Sequence, residues 1–246
     1  MQYESDFKEL RRRIIFLVIC FIAAFIFFYL NSPTLMDFIV QKGSDAGYSF
    51  VYISPAEVLG EQIKIAAIAS FIVLLPLIVL EVALFVGPGV EAGIFGIIIP
   101  SIFAIIMFAT GVIFSYFVLM PFILNTLHDL GINSNITAQV SIANYISLYL
   151  TLLISLGFVF ELPLASLGLA KFGVINSNFM RKGRKPAIVI ALIVAALITP
   201  PDVFSQIVVA IPIIILYEFS IVLCKLVERK DKKCLDLDGS ELQKSS

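Results

Sequence analysis

Apolar residues fall into six blocks along the chain, separated by short polar stretches: residues 14–30, 65–86, 94–119, 145–170, 187–198 and 207–224. Each block predicts a membrane-spanning helix, because in lipid a helix satisfies its own backbone N–H and C=O groups. The fifth block has only 12 residues. At 1.5 Å per residue it reaches about 18 Å, short of a hydrocarbon core of about 30 Å, so either the bilayer thins beside it or neighbouring helices cover the gap. The first block follows Arg11-Arg12-Arg13, as a secretory signal would. It is 17 residues long, no small-x-small cleavage site follows it, and Asn31-Ser32-Pro33 ends it, so it reads as a retained span. Two longer connections, residues 31–62 and 121–143, read as loops. The charged segment 229–246 reads as a disordered tail.

Composition makes lipid necessary. Of the 246 residues, 60% are hydrophobic and 14% charged, against about 45–50% and about 25% in soluble domains. That excess exceeds what one globular core hides. Trp is absent, so an interfacial aromatic belt would rest on Tyr. Charge then sets an orientation. With the N-terminus inside, the inner segments hold Lys8, Arg11, Arg12 and Arg13; Lys171, Arg181, Lys182, Arg184 and Lys185; and Lys225, Arg229, Lys230, Lys232, Lys233 and Lys244. Only Lys42 and Lys64 fall outside, which predicts six spans with both termini cytoplasmic. Cys20, Cys224 and Cys234 have neither disulfide nor metal-ligand spacing.

An ionisable residue within a span costs about 2.5–3.5 kcal/mol on insertion scales and so calls for a reason. Glu81, Glu161 and Glu218 are the three. Glu81 is near enough to the inner surface to reach water. Glu161 is about 15 Å from the inner end of its helix, and Pro163 two residues on predicts a bend beside it. Glu81 and Glu218 read equally as protonated or hydrogen-bonded structural groups and as a contact for an intramembrane partner or a proton-linked site, whereas Glu161 favours the latter reading. Thr199 and Gln206 add polar groups near the last two spans, and Thr199 and Asp202 also suit helix capping. No residue pattern suggests an enzyme, a metal site, a cofactor or a nucleic-acid partner: His128 is the sole histidine and phosphate-binding glycine loops are lacking.

Several segments together resemble a known family. Asp6-Phe7-Lys8-Glu9-Leu10-Arg11-Arg12-Arg13 resembles the His-Leu-x-Glu-Leu-Arg-x-Arg opening of TatC proteins, and Ser54-Pro55-Ala56-Glu57 the approach to their second span. Phe85-Val86-Gly87-Pro88 resembles the start of the first cytoplasmic loop, and Gly157-Phe158-Val159-Phe160-Glu161-Leu162-Pro163 the fourth-span motif. The fullest match is Leu197-Ile198-Thr199-Pro200-Pro201-Asp202-Val203-Phe204-Ser205-Gln206, followed by Pro212 and Tyr217-Glu218. The resemblance implies the core subunit of a twin-arginine translocase in a bacterial or archaeal plasma membrane. Such a subunit binds the twin-arginine signal peptides of folded precursors. With single-span partners, TatA and often TatB, in a homo-oligomeric receptor complex, it exports them on the protonmotive force.

By the same resemblance, Glu9, Arg11, Phe85, Pro88 and Glu91 are implied at the signal peptide, with Arg11 ordering the acidic site. Glu161, Thr199 and Gln206 are implied at the partner subunits, and Pro163, Pro200, Pro201, Asp202 and Glu218 as structural or polar motif positions. Two positions depart from the family. Asp6 replaces its opening histidine, and Ile94 stands at the ungapped place of its loop glutamate, so Glu91, one helical turn earlier, is the expected substitute. Glu9 also has a plain structural reading as the i,i+4 partner of Arg13. Two other functions stay open: a small-solute transporter, which predicts internal repeats that are not seen, and a scaffold that binds partners without moving cargo.

Overall fold

The computed structural model describes residues 2–52, 54–86, 94–132, 139–171, 173–199 and 203–244. Its elements are α1 (Gln2–Leu30), α2 (Ser32–Asp45), β1 (Ser49–Val51), α3 (Pro55–Val86), α4 (Ile94–Phe114), α5 (Met120–Ile132), β2 (Gln139–Ser141), α6 (Ile142–Phe160), α7 (Leu162–Lys171), α8 (Ser177–Lys182), α9 (Arg184–Ile198) and α10 (Val203–Lys244). A π-helical turn, Ser115–Leu119, joins α4 to α5 without a break. The chain divides into two compact units, Met1–Gly157 and Phe158–Ser246, with the boundary inside α6.

Among the described residues, five helical stretches are long and apolar enough to cross a membrane: Lys8–Leu30, Pro55–Leu84, Ile98–Thr126, Ile142–Lys171 and Val203–Leu226. Their apolar side chains stay exposed, Ile19 at 60% and Phe27 at 61% on α1 for example, an arrangement that water would penalise along the whole length. The counterpart of the fifth apolar block is α9, with 15 residues, or about 22 Å of helix.

In the first unit α1 lies along α3, and α3 also packs on α2 and α4. The connection read as a loop over 31–62 is largely ordered as α2, β1 and the first turns of α3. Pro33 near the start of α2 and Pro55 at the start of α3 suit first-turn positions, where a missing N–H costs nothing. The second connection carries the end of α5 and then β2, which pairs in parallel with β1 in the register Ser49↔Gln139. This pair adds to the all-helical expectation. Three-residue strands are too short to show an alternating pattern in sequence.

The same region is tied by specific polar bonds. The Tyr145 hydroxyl donates to the Ile39 carbonyl at 2.9 Å, and the Tyr48 hydroxyl to that of Leu124 at 2.9 Å. Glu57 accepts from the Ser141 hydroxyl at 2.6 Å, and Lys64 reaches both Glu61 (2.7 Å) and Ser147 (3.2 Å). The π turn sets Tyr116 and Phe117 side by side, where Tyr116 stacks on Phe38 and Lys42 Nζ lies 4.5 Å from its ring centre.

In the second unit α7, α8 and α9 all contact α10. The hydrogen-bond ladder is interrupted at Glu161, between α6 and α7, with Pro163 just beyond, which is the bend expected beside that carboxyl. Beyond the expected last span, α10 continues as helix to Lys244, through the segment read from sequence as a disordered tail. No proline follows Pro212 to stop it.

Glycine brings α4 and α6 into backbone contact. A Cβ on Gly111 would lie 2.6 Å from the Leu156 carbonyl oxygen and 3.0 Å from the Gly157 Cα. Small residues at such crossings let transmembrane helices approach closely. Gly111→Ala is expected to cost about 1–3 kcal/mol, the usual range for overpacking. Thermal unfolding in detergent would register this as a lower midpoint, and an unchanged midpoint would mean the crossing is loose.

Candidate functional site

At one end of the first unit, α1 carries Lys8, Glu9, Arg11, Arg12 and Arg13 within six residues. The i,i+4 spacing places Arg13 over Glu9 on one helix face. Arg13 donates through Nη2 and Nε to Glu9 Oε1, at 2.7 and 3.1 Å. Its Nη1 reaches across to Glu81 Oε2 on α3 at 2.6 Å. One guanidinium thus serves two carboxylates on two helices. The Arg13 and Glu81 side chains are only 20% and 19% exposed, whereas Glu9 is 46% exposed. Arg11 and Arg12 face outward.

Arg13 is thus the residue that bonds both carboxylates, and Arg11, expected to order the acidic group, lies exposed on the neighbouring face. Glu81 is paired with Arg13 of a neighbouring helix, in keeping with its reading as a hydrogen-bonded structural group. Phe85 belongs to the last turn of α3; Pro88 and Glu91 lie outside the described residues. The site's contribution from the loop before α4 is not described.

The second unit gathers the other polar residues. Thr199 ends α9; its hydroxyl donates to the Ala195 carbonyl at 2.9 Å, and the residue is buried. Gln206 on α10 donates through its side-chain nitrogen to the Leu192 carbonyl at 3.1 Å, tying α10 to α9. Pro200, Pro201 and Asp202 lie outside the described residues. Pro163 is fully buried. Glu161 has a buried carboxylate oxygen, Oε1, without a hydrogen-bond partner among the described residues. Glu218 accepts from Arg184 Nη2 at 2.8 Å. Glu228 holds the start of α8, accepting from the Ser177 N–H and hydroxyl at 2.5 Å each.

The order of these features along the chain has a counterpart in known proteins. The model of the family described as Sec-independent protein translocase protein (TatC) matches residues 6–212. The Helicobacter pylori (strain 26695) protein named Sec-independent protein translocase protein TatC is 35% identical over 226 residues, 92% of this chain and 88% of that one. The Aquifex aeolicus protein of the same name is 33% identical over 244 residues, covering 95% and 98% of the two chains. The chain belongs to the TatC family. A crystal structure described as the twin arginine translocase receptor TatC superposes with a TM-score of 0.80 at 31% identity, covering 90% of this chain and 98% of that one.

As a TatC family member the chain is a multi-pass membrane component of the Sec-independent, twin-arginine protein translocation system. The pairings that shape its polar groups were not evident from the motifs. Arg13–Glu81 joins residues 68 apart in sequence and Arg184–Glu218 residues 34 apart. A signal for both was available: in each case a costly carboxylate lies in the part of its apolar block that the Lys and Arg distribution sets nearest to basic segments.

Replacing Arg13 by Gln strands the poorly exposed Glu81, so a loss of about 1.5–3 kcal/mol is expected, the range for hydrogen bonds to charged groups. Glu9→Gln removes only a half-exposed i,i+4 pair and is expected to cost under about 0.5 kcal/mol. Comparing the two unfolding midpoints in detergent checks the ranking, and equal losses would show that Glu81 finds another partner.

Proposed function

We propose that this chain is the subunit that receives twin-arginine signal peptides of folded precursors, at the basic end of α1 and α3. The observation that carries this reading is the Glu9–Arg13–Glu81 arrangement. Two carboxylates share one internal guanidinium, so the trio itself carries one negative charge among the exposed basic residues Lys8, Arg11 and Arg12, and Glu9 is the more exposed of its two carboxylates. A pair of arginines from a signal peptide suits that remainder, since guanidinium and carboxylate match in planar, charge-assisted bonds. Arg11, the last turn of α3 with Phe85, and Pro88 with Glu91 from the following loop complete the proposed site. The similar crystal structure is itself described as a twin arginine translocase receptor, which supports the assignment.

In this reading six helices cross a plasma membrane, α9 as a short fifth crossing, with both termini and the basic ends cytoplasmic. The distribution of Lys and Arg favours that orientation. Glu161, Thr199 and Gln206 face the single-span TatA and TatB partners. The unpartnered Glu161 oxygen supports this, because a polar group on a partner helix would offset its burial. Thr199 and Gln206 first serve α9 and α10 themselves, so their part is to shape the surface. The homo-oligomeric receptor complex and the use of the protonmotive force follow from the family reading.

Detergent-purified protein should bind a twin-arginine signal peptide at least about tenfold more tightly than the twin-lysine version, since lysine loses the bidentate geometry. Glu9→Ala and Glu91→Ala should each erode that preference. Equal or absent binding of both peptides by folded protein would overturn the reading and leave a scaffold. Glu161→Ala should separately reduce co-purification of a single-span partner while leaving peptide binding intact.

A further inference from the structure

The second unit contains an apolar groove of about 390 Å³ with a charged mouth. Its walls come from the end of α6 (Phe158), the start of α7 (Leu162), α9 from Arg184 to Val194 and α10 from Ile213 to Glu218. Along α9 the lining passes from Arg184 through Ala187 and Ala191 to Val194, ten residues or about 15 Å. That is half of a hydrocarbon core of about 30 Å, the depth of one leaflet.

All the charge lies at one end. Arg184 and Glu218 pair there at 2.8 Å, with side chains 50% and 45% exposed. Tyr217 closes the same end, its hydroxyl bonded to the Met180 carbonyl at 2.8 Å. Lys171 ends α7, Arg181 and Lys182 end α8, and Arg184 and Lys185 begin α9; all five are exposed. Among the described residues nearby, only Glu218 and Glu228 oppose them, and Glu228 is occupied by Ser177. The end of the groove is therefore positive, and the groove below it is hydrocarbon-like.

We infer that this groove holds one acyl chain of an anionic phospholipid, with the phosphate at Arg184 and its basic neighbours. The groove length fits one chain of one leaflet, and the excess positive charge selects an anionic over a zwitterionic head. Basic pockets between transmembrane helices are suited to such headgroups. Glu218 competes with the phosphate for Arg184, which sets the affinity: Arg184 gives one bond to Glu218 through Nη2 and remains half exposed.

The test uses the full chain in nanodiscs containing equal phosphatidylglycerol and phosphatidylcholine of matched acyl chains. Native mass spectrometry after release then counts retained lipid. One retained phosphatidylglycerol is expected, with phosphatidylcholine largely lost. Arg184→Gln should lower retention about fivefold, the worth of one basic residue near an anionic lipid. Glu218→Gln should raise it, because the competing carboxylate is gone, whereas a purely structural ion pair predicts no gain. Val194→Phe, which fills the groove far from the charges, should abolish retention without touching the head. Equal retention of the two lipids overturns the inference, and so does phosphatidylglycerol retention unmoved by both Glu218→Gln and Val194→Phe. Those two variants keep the test decisive if Arg184→Gln does not fold.

Discussion

A peptide group in hydrocarbon has no water to bond with, and an unsatisfied one costs several kcal/mol. That constraint makes helices of every long apolar block in this chain and governs what sits between them. Among the described residues, strand pairing is limited to three residues of β1 against β2, in the connections and not in the apolar blocks. Where proline enters α3, α4 and α10 the helix runs on, as spans permit when neighbours re-satisfy the freed carbonyl. At Glu161-Leu162-Pro163, between α6 and α7, the ladder is interrupted.

The next constraint is charge. An unpaired carboxylate in a span costs about 2.5–3.5 kcal/mol, comparable to a sizeable part of a domain's net stability of about 5–15 kcal/mol. The chain meets this by pairing between helices: Arg13 with Glu81 in the first unit, Arg184 with Glu218 in the second. In the first unit two carboxylates exceed one guanidinium. In the second the basic residues exceed the carboxylates.

Glu161 stands apart from this pattern. One of its carboxylate oxygens is buried without a partner among the described residues, and its place at the helix break keeps it from the compensation that Glu81 and Glu218 have. Thr199 and Gln206 show the contrary case: both bond carbonyls of α9, so their polarity is spent inside the fold before any partner is met. The three residues share a family position yet differ in what they have left to offer.

Much of the architecture was legible in the chain alone. Block length and hydrophobicity mark the five long apolar helices, and the ordered motifs point to the family, because these depend on local composition and on sequence order. The break at Glu161 followed from Pro163 for the same local reason. What sequence did not reveal depends on distance in space. The pairing of Arg13 with Glu81, the bond from Gln206 to α9, the Gly111 contact with α6 and the β1–β2 register all join residues whose approach is set by packing between elements. Pattern reading sees the face of one helix at a time. Only the packed structure decides which charge meets which, because an ion pair or a backbone contact needs two elements in register, and that register is a property of the tertiary fold.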